Sequence, residues 1–283
     1  MPELPEVETI RQGIIQKLKG KKIKNIDIRV PKLFIGNPKD IIGAKIIDAK
    51  RVAKILEIVL DNGYSVIIHL KLTGQLVFQP KDERIECAVG GHMQKAYGQP
   101  LPHSHTHIIY NFTDGSRLYF NDLRKFGWNK VVKSSEVQNI LGSDKFGPEP
   151  GTKEFNLQYL KEMFSRSGKR IKEVLMDQTK VGGLGNIYVN DGLYWAGILP
   201  TRPAKSLSWT EISKLKSAIE KVINLGLRYG GSSENTYVNI EGKRGRYMEV
   251  AAVYQQEKDP KGHPIKKIQL AGRGTFYCPI CQK

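Results

Sequence analysis

Apolar residues recur at helical spacing close to the start of the chain: Val7, Ile10, Ile14, Ile15 and Leu18 share one face over residues 6–19. Pro5 suits a first turn and Gly20 suits the stop, so the pattern predicts a helix that begins almost at the first residue. Residues 2 and 3 then sit at its positive end. From 22 to 133 the period falls to two. Ile26, Ile28 and Val30 alternate, and residues 46–60, 64–78, 107–112 and 117–120 are rich in Ile, Val, Tyr and Phe. Asp61-Asn62-Gly63 and Thr113-Asp114-Gly115 supply hairpin turns between them. Strands joined by turns, with no helices between, predict a β-sandwich or barrel. Residues 81–104 read as an irregular loop. Gly147-Pro148-Glu149-Pro150-Gly151 reads as a linker.

Beyond the linker the helical period returns, over 156–165, 170–178, 187–196 and 208–225. In the last of these, Ile212, Leu215, Ile219, Val222 and Ile223 form the apolar face, and Ser208 with Glu211 makes a capping-box signature. From about 237 the chain reads as strand again and ends in Cys278-Pro279-Ile280-Cys281. The predicted fold class is therefore multidomain α/β (α+β). An N-terminal β-sandwich led by a helix covers 1–133, a linker 134–151, a helical domain 152–236, and a β-hairpin appendix 237–283.

Composition narrows the class. A chain of 283 residues suits two domains, and 40% hydrophobic with 26% charged residues is globular. No apolar run approaches the roughly 20 residues that span a bilayer. Three glutamates in the first eight residues argue against a secretory signal. Three cysteines do not make a disulfide framework. The expectation is a cytoplasmic, monomeric protein. The net charge of +17 is spread over both halves, which suits a polyanionic partner bound through phosphate contacts, although solubility alone would also explain it.

Candidate chemistry begins at Met-Pro-Glu. An initiator Met before a small residue is normally removed, leaving Pro2 as a secondary amine. An α-amine titrates at about 8, so a useful fraction is neutral at cellular pH. Its attack on a sugar carbon at the aldehyde oxidation level gives an iminium, an electron sink for elimination at the neighbouring carbon. Glu3 is placed to shuttle protons. Taken alone, Met-Pro is an ordinary terminus and a Glu at a helix start is ordinary dipole complementation. Lys54 falls on the face of Val52, Leu56 and Ile58, where a Lys must be paired, reach a site or snorkel. Arg124-Lys125-Phe126 in isolation is a strand-end charge pair with a core Phe. The glycines of 181–185 let a phosphate approach a helix start, though Asn186 is equally a plain cap.

These segments do not stand alone. MPELPEVET at 1–9, HLKLTG at 69–74, HTH at 105–107, NDLRKFG at 121–127, GPEP at 147–150, DQTKVGGLGNIY at 177–188, GGSSENTYVN at 230–239 and AGRGTFYCPIC at 271–281 follow one another in order. Together they resemble the formamidopyrimidine-DNA glycosylase family, related to endonuclease VIII, over essentially the whole chain. The resemblance implies that Pro2 attacks the sugar C1′ of a damaged nucleotide, Glu3 opens the sugar ring, Glu6 lines the damaged-base site, and Lys54 contacts phosphate and assists β-elimination. Leu72, Arg124 and Phe126 would fill the hole left by an everted base. Leu72 stands where Met is usual and is a stiffer wedge; Leu123 also departs from a common Pro or Val. His69 and His105 match phosphate contacts. Lys172 and Asn186 match a helix–two-turns–helix phosphate grip. Asp191 stands where Glu is usual, one methylene short, which alters its support for the nucleophile. Residues 230–237, with Ser232 and Tyr237, match a loop that closes over the everted base. Arg273 matches the arginine that grips the phosphates flanking the lesion.

The implied function is a bifunctional DNA glycosylase and abasic-site lyase excising 8-oxoguanine and formamidopyrimidines from double-stranded DNA through a Pro2 Schiff base and β,δ-elimination. No cofactor performs that chemistry. The alternatives are an oxidised-pyrimidine glycosylase like endonuclease VIII, or a non-catalytic damaged-DNA-binding relative. The tail departs most from the family, which carries two Cys-x-x-Cys pairs around zinc. Only Cys278 and Cys281 remain, and His263 is a third donor without a visible fourth. The expectation is therefore a hairpin without structural zinc, held by packing of Ile265, Ile268, Leu270, Phe276 and Tyr277; a His263-assisted site is the alternative. Cys87 has no assigned role.

Overall fold

The structure, a computed structural model, describes residues 1–81, 100–142, 145–233 and 237–283. Most of the irregular loop expected at 81–104, Cys87 included, lies outside the described residues, as do residues 234–236 of the 230–237 segment. The contacts divide the chain into two units: residues 1–142 with 227–247, and residues 143–226 with 248–283.

The first unit opens with helix α1 (Leu4–Leu18). It continues through strands β1 (Ile23–Ile28), β2 (Phe34–Ile35), β3 (Ile46–Val52), β4 (Ile55–Leu60), β5 (Tyr64–His69), β6 (Gly74–Gln79), β7 (Thr106–Phe112), β8 (Arg117–Asp122) and β9 (Trp128–Lys133). The strands form the expected sandwich: a four-stranded sheet in the order β1-β7-β8-β6 and a five-stranded sheet in the order β2-β9-β5-β4-β3. The turns at 61–63 and 113–115 join antiparallel pairs, as their Gly-containing sequences require. α1 packs on β3 and β4. Its Val7, Ile10, Ile14 and Leu18 enter one core with Ile46, Leu56, Ile58, Ile68, Phe112 and Phe120. Each fully buried Ile or Leu of that stripe contributes about 1.5–3 kcal/mol, which is why a short polar-faced helix is stable there.

The chain after residue 226 returns to this unit. Tyr237 and Ile240 join the sandwich core, Phe78 N–H donates to the Ile240 carbonyl at 2.8 Å, and the residue 237–247 stretch is irregular rather than strand-like. The contacts divide the units after residues 226 and 247, on either side of the single boundary expected at 236/237, and the apolar residues at 237 and 240 are satisfied by the sandwich.

The second unit contains α3 (Leu157–Ser165), α4 (Ile171–Met176), α5 (Asn186–Ala196) and α6 (Trp209–Arg228), a five-residue helix α2 (Val137–Leu141) having closed the first unit. The predicted face of α6 is buried throughout. α5 is buried on nearly all sides. The segment read as a linker is hydrogen-bonded: Gly147 N–H donates to Gln178 at 2.9 Å and Gly182 N–H to the Gly147 carbonyl at 3.1 Å. A Cβ on Gly147 would lie 2.2 Å from the Lys180 backbone, so only glycine admits this contact. Strands β10 (Lys266–Leu270) and β11 (Arg273–Tyr277) form the terminal hairpin, turned at Ala271-Gly272 with both φ positive.

Candidate active site

In the first unit the N-terminus is built by a reciprocal cap. Glu3 is the N-cap of α1, and its side chain accepts the N–H of Glu6. The Glu6 Oε2 accepts the N–H of Glu3 at 2.7 Å, which satisfies donors that the helix itself leaves open. Glu6 Oε1 accepts the N–H of Ser232 at 2.7 Å. One carboxylate, 1% exposed, therefore holds both the start of α1 and the start of the 232–237 segment. Gly231 is required between them: its φ is +86°, and a Cβ there would lie 2.8 Å from Glu6 Cγ. Pro2 is buried beside the cap. Tyr237 is buried, its hydroxyl donating to the Gly230 carbonyl at 3.0 Å and its pKa raised by burial.

Lys54 does not sit within a strand. It occupies the Ala53-Lys54 turn between β3 and β4, 5% exposed, beyond a positive-φ Ala53. The strand parity put it on an apolar face because the turn adds residues that do not count toward the period. His69 ends β5, stacks at a tilt on Trp128 and accepts the Lys71 N–H through Nδ1 at 3.0 Å. Burial, then the charges of Lys71 and Lys54, push its pKa down to about 3, so it is neutral at cellular pH.

Two turns meet at Asp122. The turn at 71–73 carries Leu72, and Thr73 donates its hydroxyl to Asp122. The turn at 123–127 carries Arg124 and Phe126. Asp122 accepts the N–H groups of Arg124 at 3.2 Å, Phe126 at 2.8 Å and Gly127 at 2.7 Å. Asp122 is fully buried, and what it presents is exposed: the Arg124 guanidinium lies 4.7 Å over the ring of Phe126, which is 53% exposed. The core Phe reading of 126 is thus excluded. His105 is held on the same framework, its carbonyl accepting the Asp122 N–H at 3.0 Å and its N–H donating to His103. Asp122 and Thr73 stand in two of the sequence blocks, yet a buried Asp capping a turn gives no separate signal in the pattern.

In the second unit Lys172 is 1% exposed, and its Nζ donates to Thr275 Oγ1 at 2.7 Å and the Gly274 carbonyl at 3.2 Å. Asn186, the first residue of α5 after the N-cap Gly185, donates Nδ2 to the same carbonyl at 3.0 Å. Asn190 accepts the Phe276 N–H at 2.9 Å. The helix pair thereby fastens β11, and Arg273 projects exposed from the hairpin turn beside a cavity of about 210 Å³ lined also by Lys169, Lys172 and Met176. Asp191, expected to bear on the nucleophile, spends its buried carboxylate on the N–H groups of Ala252, Val253 and Tyr254 at 2.9–3.0 Å. Among the described residues no helix is long and apolar enough to cross a membrane.

The family models agree with this architecture. Residues 1–129 match the formamidopyrimidine-DNA glycosylase N-terminal domain, residues 146–238 the H2TH domain of the same enzymes, and residues 262–283 a zinc finger found in FPG and IleRS. The formamidopyrimidine-DNA glycosylase of Pelotomaculum thermopropionicum is 37% identical over 292 residues, covering 100% of this chain and 99% of its own. The chain belongs to the formamidopyrimidine-DNA glycosylase family. The relative of the same name from Geobacillus kaustophilus is also 37% identical, with 100% of each chain covered. Among solved structures, the Lactococcus lactis Fpg bound to DNA containing an abasic site superposes with a TM-score of 0.88 at 31% identity, over 99% of each chain. Its wild-type form bound to DNA containing N7-benzyl-Fapy-dG gives 0.87 at 31%, over 100% of each chain.

The zinc-finger match does not support the expectation of a hairpin without structural zinc. That expectation rests on the lack of a fourth donor beside Cys278, Cys281 and His263 in the sequence pattern. Asp259 is a fourth potential donor: the donor atoms of Asp259, His263, Cys278 and Cys281 all lie within 4.8 Å of one another, so they could hold a metal ion. Two thiolates, an imidazole and a carboxylate are a donor set that zinc accepts. The sequence signal was present as an acid four residues before a His across a Lys261-Gly262 turn. The family spacing, built on cysteines, does not mark it.

Proposed function

We propose that the chain is a bifunctional DNA glycosylase and abasic-site lyase that excises oxidised purines, 8-oxoguanine and formamidopyrimidines, from duplex DNA. Family membership makes it a DNA glycosylase; the substrate, the lyase step and the residue roles are the proposal. The observation that carries it is the N-terminal cap, which supports a nucleophile at Pro2, buried next to Glu3, with Glu6 joined to the Ser232 segment.

With Met1 removed, the Pro2 nitrogen lone pair attacks C1′ and the bond from C1′ to the damaged base breaks, the base leaving with its electron pair and a proton. Glu3 donates a proton to the ring oxygen as the C1′–O4′ bond opens, and nitrogen forms the cationic iminium. Loss of a C2′ proton then turns the C2′–C3′ bond into a double bond as the C3′–O bond breaks, and the 3′ phosphate leaves with that electron pair. Loss of the C4′ proton then forms a C4′–C5′ double bond as the C5′–O bond breaks, and the 5′ phosphate leaves with that electron pair. Lys54 assists the first elimination and contacts phosphate, as do His69, His105 and Arg273. Leu72, Arg124 and Phe126 occupy the vacated stack, a role that the exposed guanidinium-on-ring pair supports. Lys172 and Asn186 support the phosphate grip by fixing the hairpin that carries Arg273.

Borohydride trapping tests the reading. Met-processed protein incubated with a duplex carrying 8-oxoguanine opposite cytosine is expected to yield a covalent protein–DNA adduct, and Pro2→Gly to yield far less. No adduct from processed protein overturns the mechanism. Faster excision of thymine glycol than of 8-oxoguanine would move the substrate assignment to oxidised pyrimidines.

A further inference from the structure

The turn that presents Lys54 is strained, and an ion-pair network from α1 reaches it. The pair Val52–Ile55 closes the ladder of β3 and β4, so Ala53 and Lys54 alone make the turn. Ala53 has φ +50°, a left-handed conformation that a residue with a Cβ adopts at a cost. Ile55, which follows Lys54, stands opposite His69 across β4 and β5. The conformation of Ala53 therefore sets the direction in which Lys54 leaves the turn beside that histidine.

Arg51 grips this turn from β3. Its Nη1 donates to the Ala53 carbonyl at 2.9 Å and its Nε to Glu8 Oε2 at 3.2 Å. Glu8 is in turn fixed on α1: its two oxygens accept Arg11 Nε at 3.0 and 2.9 Å, and Oε1 also accepts Arg11 Nη2 at 2.6 Å and Gln12 Nε2 at 3.0 Å. Arg11 reaches β3 as well, donating Nη1 to the Ala49 carbonyl at 3.3 Å. The Arg51 and Glu8 side chains are 12% and 15% exposed, so this pair is better shielded than the surface ion pairs that contribute little. Pairing with Glu8 uses one guanidinium nitrogen; another is spent on a carbonyl of the strained turn, a two-point grip that Arg provides and Lys does not. Because α1 starts at the Glu3 cap beside Pro2, one chain of hydrogen bonds joins the helix of the nucleophile to the turn of the lysine.

We propose that Arg51, clamped by Glu8, is a positioning residue for Lys54: it holds Ala53 in the left-handed conformation and so keeps Lys54 in register with α1. The proposal rests on the reading that Lys54 assists the first elimination once Pro2 has formed the iminium. Arg51 acts through the turn and transfers no proton. The network serves the elimination and leaves attack by Pro2 to the N-terminal cap, which is built by Glu3 and Glu6 without Glu8.

The test uses the full-length, Met-processed protein in excess over a preformed abasic duplex, with borohydride-trapped adduct and strand cleavage timed separately. Arg51→Met keeps the packed stem and removes the guanidinium. It should form the adduct at the parent rate while cleavage falls about tenfold, equivalent to roughly 1.4 kcal/mol. Glycine adopts positive φ freely, so Ala53→Gly added to Arg51→Met should return cleavage to within about threefold of the parent. In a Lys54→Ala background, Arg51→Met should slow cleavage no further, because both substitutions act through one ammonium group. Should Arg51→Met fail to fold, Glu8→Gln with and without Ala53→Gly makes the same comparison. Cleavage at the parent rate, equal losses of adduct and cleavage, no recovery with Ala53→Gly, or additive losses with Lys54→Ala would each overturn the proposal. No adduct from the unaltered protein would overturn the Pro2 reading, and the proposal with it.

Discussion

Replacing Glu6 by Gln separates the two jobs of one buried carboxylate. Its oxygens accept the Glu3 N–H and the Ser232 N–H, each at 2.7 Å, and the side chain is in a residue only 1% exposed. A carboxamide has one oxygen for those two donors, and its NH2 must face the other. Loss of a charge-assisted bond costs about 1.5–3 kcal/mol and an opposed buried donor about 1–3 more. Burying a neutral group in place of a charge offsets part of this, leaving roughly 2–4 kcal/mol. The oxygen stays with Glu3, because α1 is anchored by its apolar stripe in the sandwich core, so the cost falls on the segment that starts at Ser232. That segment is the one proposed to hold the everted base. Each 1.4 kcal/mol is tenfold, so excision of 8-oxoguanine should fall about 30- to 1000-fold. Trapping on a preformed abasic duplex needs no base to be held and should fall less than about tenfold on the same scale. Single-turnover excision and borohydride trapping, run side by side, decide it. Excision within threefold of the parent, or equal losses on both substrates, would refute the argument.

Asp122→Asn leaves one acceptor for the four donors that now converge on Asp122, so the turn carrying Arg124 and Phe126 should loosen. Affinity for a lesion duplex should fall about tenfold, equivalent to roughly 1.4 kcal/mol, with the abasic-site adduct still formed; unaltered affinity by fluorescence anisotropy would dismiss Asp122 as the organiser of that turn. His69 titrates near 6.5 when unfolded and near 3 when folded, so the folded state binds fewer protons between those values. Its contribution to stability is fully present above about pH 6.5 and is lost as pH falls toward 3. His69→Gln should flatten that part of the stability-versus-pH curve, as measured by urea denaturation, and an unchanged slope would show that His69 is not the group responsible.

Much of this protein is legible in one dimension. The apolar stripe of α1, the alternation of the sandwich strands, the hairpin turns at 61–63 and 113–115, and the amphipathic face of α6 are periodic, and a local period needs no partner to be read. The ordered blocks carry the family assignment for the same reason, as residue identities at fixed positions. The sequence also names Pro2, Glu3, Glu6, Arg124, Phe126 and Arg273 as candidates.

What they touch is decided only in three dimensions. Lys54 belongs to a turn rather than a strand face, and Phe126 is an exposed platform rather than a core residue. Residues 237 and 240 return to a core built more than a hundred residues earlier, and Asp191 is consumed by three backbone donors sixty residues away. Asp259 comes within 4.8 Å of the His263, Cys278 and Cys281 donor atoms only when the turn at 259–263 is folded against the cysteine turn at 278–281, which no spacing within either turn expresses. Periodicity reports the face that a residue shares with its neighbours in sequence. A buried charge is settled by whichever distant donors can satisfy it, and those are fixed by packing.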